Sequence, residues 1–293
     1  MRRFLPLGLR RRVVLWASRR SWLPRRSWWS LELLRDWAAA SPADYHRWVW
    51  RHHAAFPEIY DPALRFAAGA VDRARLELFE DLTATLRGRG IDPATIGSVL
   101  EVGSSLGYLL RLVELDVFPS ASVLEGVDID RLAVEEGNAM LRRMESRVRL
   151  HHLDAADLDA FLRGRSYDIV YCAGTLMYLD EGEAAKLVAT MLRAAKVALA
   201  ITGVAHPLHD NATMAGHSIR EWDAAFVHNL DAMVLAAGGE ILFRRWDGQR
   251  IVDGISIYHL VAARGQLSDR AADEPGSSSS TDQAPWLPGD ERG

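Results

Sequence analysis

From residue 98 onward, short apolar runs alternate with longer amphipathic stretches. The runs are Ser98–Val102, Ser122–Asp128, Val148–Leu153, Tyr167–Ala173, Val197–Thr202, Glu240–Arg245 and Ser256–Ala263. Helix-length segments separate the first five, which is the pattern of a parallel βαβ sheet. The last two are joined by the turn-rich Trp246–Gly254, short enough for an antiparallel pair. The pattern predicts an α/β fold built on a doubly wound, seven-stranded, mostly parallel sheet, with one antiparallel strand at or near an edge.

Residues 1–90 read as a helical extension. Ser30 can cap a helix over Leu31–Ala40, with Glu32 in its first turn. Ser41-Pro42-Ala43-Asp44 opens another, with serine as cap and proline at the first helical position. A third runs from Pro62 to Arg87, with Leu64, Val71, Leu76, Phe79, Leu82 and Leu86 at roughly helical spacing. The sheet domain spans 91–265. Residues 266–293 contain Ser277–Ser280, three prolines and almost no apolar content, so a disordered tail is predicted.

Composition narrows the class. With 293 residues, 49% of them hydrophobic, the chain can bury a large core. Its one cysteine, Cys172, excludes a disulfide framework and any multi-cysteine metal site within one chain. No run approaches the ~20 apolar residues of a membrane span. A net charge of −4 argues against a whole-surface nucleic-acid binder, and a cytoplasmic protein is expected.

That charge is unevenly spread. Residues 1–30 carry nine arginines and no acid, and seven of the ten tryptophans lie in the first 50 residues. Arginines interleaved with Trp16, Trp22, Trp28 and Trp29 suit peripheral contact with a membrane surface, or a protein partner. A transit peptide, a plain basic extension and an RNA contact share that composition.

The segment richest in chemistry is Val99-Leu-Glu101-Val-Gly103-Ser-Ser105-Leu-Gly107-Tyr108. A buried strand runs into a glycine turn and then an apolar helix, so backbone N–H groups can approach a ligand closely. The glycines read G-x-x-x-G, not the G-x-G-x-x-G of a dinucleotide site, and Glu101 stands just before them. A carboxylate there suits an ammonium group and opposes a pyrophosphate, which argues against NAD. The next strand ends at Asp128, 21 residues beyond Gly107, where an acid can accept both ribose hydroxyl protons. Asp130 reads as the cap of a helix starting at Arg131. The third strand ends in Asp154-Ala155, an acid and a small residue suited to an adenine amino group. Asp154 could instead merely cap a helix over 155–163. The fourth runs through Cys172 into Ala173 and Gly174, then Tyr178. Cys172 reads as a small buried residue rather than a nucleophile.

These four segments, in this order, resemble the class I S-adenosylmethionine-dependent methyltransferases over about residues 95–265. Glu101-x-Gly103-x-x-x-Gly107 matches the family's first motif, with Ser105 where many members have a third glycine. The resemblance implies S-adenosylmethionine as cofactor and S-adenosylhomocysteine as product. It puts Glu101, Gly103, Ser105 and Gly107 near the methionine part, and Asp128 with Ile129 at the ribose. Asp154 and Ala155 then face the adenine, and Cys172, Ala173 and Gly174 line the sulfonium.

The fifth strand leads into a loop holding His206, His209, Asp210 and His217. A histidine there could take a hydroxyl proton from a small-molecule acceptor, with Asp210 fixing its tautomer. His206 is the first choice of base, His209 and His217 the next. His-x-x-His-Asp could instead bind a divalent metal, or the histidines could be solvated bystanders. No metal is included in the expected site. Tyr45, Trp48, Trp50, His52, His53, Phe56 and Tyr60 form an aromatic-rich stretch that either lids the pocket or packs on the sheet domain. The function this predicts is O-methylation of a small molecule such as a natural product or sugar. The alternatives are non-methylating chemistry on the same cofactor, or a silent binding subunit.

Overall fold

The computed structural model describes residues 5–18, 26–52, 62–67, 71–220, 223–252 and 255–264. The strands are β1 (Ser98–Val102), β2 (Val123–Asp128), β3 (Arg149–His152), β4 (Tyr167–Ala173), β5 (Ala195–Thr202), β6 (Ser218–Ile219), β7 (Phe226–Val227), β8 (Gly239–Val252) and β9 (Ile255–Arg264). Seven form one sheet in the order β3-β2-β1-β4-β5-β9-β8, while β6 and β7 pair separately. The first five are parallel, and β9 lies antiparallel to both β5 and β8, one place in from the edge. Chain order reverses between β1 and β4, so a crevice opens beyond their carboxyl ends.

Both faces of the sheet are apolar, which is why its strands read as runs rather than as clean alternations. Along β1 and β4, Val99, Ile169 and Tyr171 face one core while Leu100, Val102, Val170 and Cys172 face the other. The first core is covered by α5 (Arg73–Gly88), α6 (Tyr108–Leu112) and α7 (Arg131–Arg143) through Leu78, Leu82, Leu110, Val134 and Leu141. The second is covered by α8 (Leu158–Phe161), α9 (Glu181–Ala194) and α10 (Leu230–Ala236) through Leu158, Leu187, Val188, Leu230 and Val234. Aspartate side chains start three of these helices: Asp72 accepts from Arg75 N–H, Asp130 from Leu132 and Ala133 N–H, and Asp180 from Glu183 N–H.

Ahead of that sheet layer come α1 (Leu7–Ser18), α2 (Arg26–Ala40) and α3 (Pro42–Arg51). They share a small core of Val14, Leu34, Trp37, Tyr45 and Val49.

Several sequence expectations move. Ser30 does not cap α2, which already runs from Arg26; four further helix-compatible residues precede the serine. Ser41 does precede α3, but its side chain makes no capping hydrogen bond. The helix expected over Pro62–Arg87 is two: α4 (Pro62–Arg65) ends early, and α5 starts at Arg73, where the Asp72 carboxylate accepts the Arg75 N–H at 2.9 Å. α5 also packs on β8 and β9 rather than with the extension's own core. The turn expected over Trp246–Gly254 is mostly strand, since Trp246, Asp247, Ile251 and Val252 pair with β9. Residues 265–293, including the expected tail, lie outside the described residues, as do His53, Phe56 and Tyr60.

Candidate functional site

At the end of β1 the chain makes a turn that few side chains permit. Gly103 has φ +81°, and a Cβ there would stand 1.8 Å from Oγ1 of Thr175. The turn is pinned to β2: Gly103 and Ser104 N–H donate to the Val127 carbonyl at 2.9 and 3.0 Å. The Ser105 N–H donates to Oδ2 of Asp128 at 2.7 Å, and the Asp130 N–H to Oδ1 at 2.8 Å. Ser105 itself sits at φ +47°, the left-handed conformation that a glycine would adopt without strain.

A cavity of about 320 Å³ lies over this turn, at the point where strand order reverses. That volume is within the ~300–1,000 Å³ usual for small-molecule sites. Its floor includes Glu101, Gly103, Ser104, Ser105, Asp128, Ile129, Asp154, Ala155, Ala173, Gly174 and Thr175. Glu101 is 1% exposed and its Oε2 has no hydrogen-bond partner. Burial pushes its carboxyl up to about 8, with Arg75 pulling in the opposite direction. Asp128 is likewise raised by burial, to about 6, against the pull of its two backbone donors.

The opposite wall comes from the extension. His46, Arg47 and Trp50 of α3, Arg65 of α4 and Arg75 of α5 all line the cavity. The α3 helix is fastened on both sides of it. Arg51 bonds Oδ2 of Asp154 at 3.2 Å, and Arg47 pairs with Glu183 of α9. Tyr178 meets this helix from the sheet side, its ring centroid 4.8 Å from His46 and 4.4 Å from Trp50. Of the aromatic stretch, Trp50 lines the cavity, while Tyr45 and Trp48 pack in the core shared by α1, α2 and α3.

Nine of the eleven cofactor positions expected from sequence lie on the cavity wall. Gly107 does not; it caps α6 at φ +78°, behind the turn, with Leu150 and Leu141 against it. Cys172 does not either: its side chain is fully buried in the core beneath, where burial raises its thiol to about 11. Asp154 has two places in the structure. It lines the cavity, and its Oδ1 accepts the Ala156 N–H of the short turn that follows.

His206, His209 and His217 are not on the cavity wall. Nδ1 of His206 accepts the Leu208 and His209 N–H groups, so the ring is spent holding its own loop. His209 stacks on it, and His217 shares a hydrogen bond with Glu181 at 2.9 Å. Asp210 pairs with Arg244 instead of orienting a histidine. Among the described residues, no group of three or more His, Cys, Asp or Glu is arranged to hold a metal ion. No described helix is long and apolar enough to cross a membrane.

Sequence reasoning missed His46, Arg47, Arg65 and Arg75. His46 sits next to Tyr45 in the aromatic run, and that run is the only sequence signal pointing to it. Nothing in the apolar spacing of α5 marks Arg75 as facing a ligand.

Residues 99–197 match a family model described as a methyltransferase domain. Those residues hold β1 to β4 and the start of β5, and this part of the chain matches a methyltransferase domain. A S-adenosylmethionine-dependent methyltransferase from Clostridium acetobutylicum superposes with a TM-score of 0.50 at 11% identity, over 73% of this chain and 99% of that one. Magnesium protoporphyrin IX methyltransferase from Synechocystis, crystallised with SAM bound, gives a TM-score of 0.48 at 17% identity, over 80% and 96%. At 11% identity the likeness to the Clostridium protein is one of fold. No curated protein matches the chain.

Proposed function

We propose that this protein binds S-adenosylmethionine and transfers its methyl group to a hydroxyl of a small molecule. One observation carries the cofactor assignment: a buried carboxyl with an unpartnered oxygen, Glu101, shares the cavity with the Arg75 guanidinium, and the two interact electrostatically. A guanidinium beside a carboxyl that a ligand ammonium would ionise complements the carboxylate and ammonium of an α-amino acid, which a methionine-derived cofactor carries and NAD does not. Gly103 lines the cavity with no side chain of its own, which fits close approach of a ligand to backbone. Asp128 has one backbone donor on each oxygen, leaving lone pairs for a ribose diol.

When bound, the cofactor supplies an activated methyl group on a sulfonium. The chain's own work is to fix geometry and exclude water: α3 lines the cavity, and the tilted rings of Trp50 and Tyr178 give an acceptor a largely apolar wall. Alignment of this kind contributes ~7–11 kcal/mol to such reactions. Calorimetric titration with S-adenosylhomocysteine and NAD tests the reading. Micromolar binding of the first and none of the second is expected; the reverse pattern overturns it.

A second contact is proposed for α1, with an anionic lipid surface. Leu5, Leu9, Val13 and Trp16, spaced three and four residues apart, are 37% to 51% exposed, and Arg12 stands beside them. The other side of the helix is buried on α2 and α3 through Val14 and Arg10, which pairs with Asp36. An apolar stripe in an arginine-rich, acid-free segment is complementary to acidic headgroups. The full chain should sediment with phosphatidylcholine vesicles containing phosphatidylglycerol, and release in high salt. Leu9→Asp with Val13→Asp should abolish this. No sedimentation of the wild type sinks the proposal.

A further inference from the structure

The geometry points to His46 of α3 as the general base that takes the acceptor's hydroxyl proton on Nε2. This inference rests on the methyl-transfer reading above. Three observations carry it. The side chain is 4% exposed and on the cavity wall. Its Nε2 is buried with no hydrogen-bond partner, whereas the ring is hydrogen-bonded to the backbone of Ala224. The ring also lies against Tyr178, which follows within five residues of Ala173 and Gly174, the end of β4 expected to face the methyl group.

With Nε2 unpartnered, the bond to Ala224 falls to Nδ1, which donates its proton to the carbonyl. That fixes the tautomer and leaves the Nε2 lone pair free. Ala224 is itself held at φ +61°, with its N–H bonded to the Arg220 carbonyl at 2.8 Å. A backbone carbonyl here does the orienting that the sequence suggested for Asp210. Burial holds the imidazole below its ordinary value, so it is neutral and able to accept a proton at neutral pH. The charged groups facing it are Asp223 and Arg220, bonded to each other on the loop before β7; Tyr45 and Arg47 are neighbours on its own helix, and Tyr178 lies across.

The step balances. A C–O bond forms at the acceptor oxygen, the C–S pair stays on sulfur as a neutral thioether, and the hydroxyl proton moves to Nε2 of His46. The imidazolium then releases that proton to solvent when the lid opens.

Two readouts on the full chain test this. In protein labelled with ¹⁵N-histidine, His46 should be the Nδ1–H tautomer at pH 7.5, titrating below 6.5. A Nε2–H tautomer, or an imidazolium at that pH, overturns the inference. His46→Gln, compared with His209→Ala as a control outside the cavity, gives the second. Methyl transfer from labelled S-adenosylmethionine to phenol as acceptor probe should fall about 10²–10⁴-fold in His46→Gln alone. S-adenosylhomocysteine affinity should stay within about threefold in both. A wild-type rate in His46→Gln overturns the base assignment. Failure of the wild type to bind S-adenosylhomocysteine instead overturns the cofactor reading, and leaves the tautomer measurement standing on its own.

Discussion

Ser105 donates its backbone N–H to Oδ2 of Asp128 at 2.7 Å, so the acid proposed to hold the ribose also holds the turn that would cradle the rest of the ligand. Binding and local folding meet in one carboxylate. Asp128→Ala should weaken S-adenosylhomocysteine binding by about 10²-fold or more, since two hydrogen bonds to a charged group are lost. It should also lower stability by about 1–3 kcal/mol, because the Ser105 and Asp130 N–H groups lose their acceptor. Calorimetry and chemical denaturation separate the two losses. Unchanged stability would mean that the turn stands without Asp128.

Glu101 predicts a trade between stability and binding. Its carboxyl keeps a proton up to about pH 8 in the ligand-free fold but releases it near 4.5 when unfolded. The native state therefore loses stability as pH rises from 4.5 to 8. Glu101→Gln removes that loss, and should melt higher than wild type at pH 8, by roughly 3 kcal/mol, with little difference at pH 4.5. The same variant should fail to bind S-adenosylhomocysteine.

A linked effect follows at neutral pH. A ligand ammonium beside Glu101 favours the carboxylate, so binding at pH 7 should release close to one proton. Titrations in phosphate and in Tris, whose ionisation enthalpies differ, read that number directly. Equal heats in the two buffers would count against an ammonium at this position.

Gly103→Ala should cost about 2–4 kcal/mol and abolish ligand binding. The new methyl would collide with the Thr175 side chain while the backbone is held at φ +81°. A folded variant with wild-type affinity would show that the turn can relax, against the close packing described above.

Acid should act elsewhere, at Glu114. This carboxylate, 4% exposed, bonds Ser146, Arg147 and Arg111, which together hold it down at about 2 against its desolvation. Its stabilisation is present above pH 4.5 and is lost as pH falls toward 2. Glu114→Gln should lower stability at pH 7 by about 2 kcal/mol, and flatten the acid limb of the stability curve. Parallel curves for variant and wild type between pH 5 and 2 would refute this.

The sheet was legible because buried parallel strands write themselves as continuous apolar runs. β1 and β4 begin and end where the runs do, and β2, β3 and β5 differ from theirs by only one or two residues at an end. The floor of the site was legible too, since Glu101, Asp128 and Asp154 each stand at, or within two residues of, the carboxyl end of a strand. The roof was not. His46 and Arg75 reach the cavity through contacts with segments far along the chain, and the Arg47–Glu183 pair spans 136 positions. No local periodicity encodes such a meeting. The histidine-rich loop after β5 misled for the converse reason: its composition suits proton transfer, but its side chains are used up in building the loop, at His206, and in tying it to α9, at His217.

The fastening of α3 has a kinetic side. Its two latches, Arg51 to Asp154 and Arg47 to Glu183, join side chains that water still reaches, with Arg51 52% and Arg47 34% exposed. Such pairs contribute about 1 kcal/mol or less each and weaken as the Debye length shrinks. Beside the ring contacts of Tyr178, α3 is thus held by charges that salt screens, and ionic strength becomes a control on how firmly this wall is fastened.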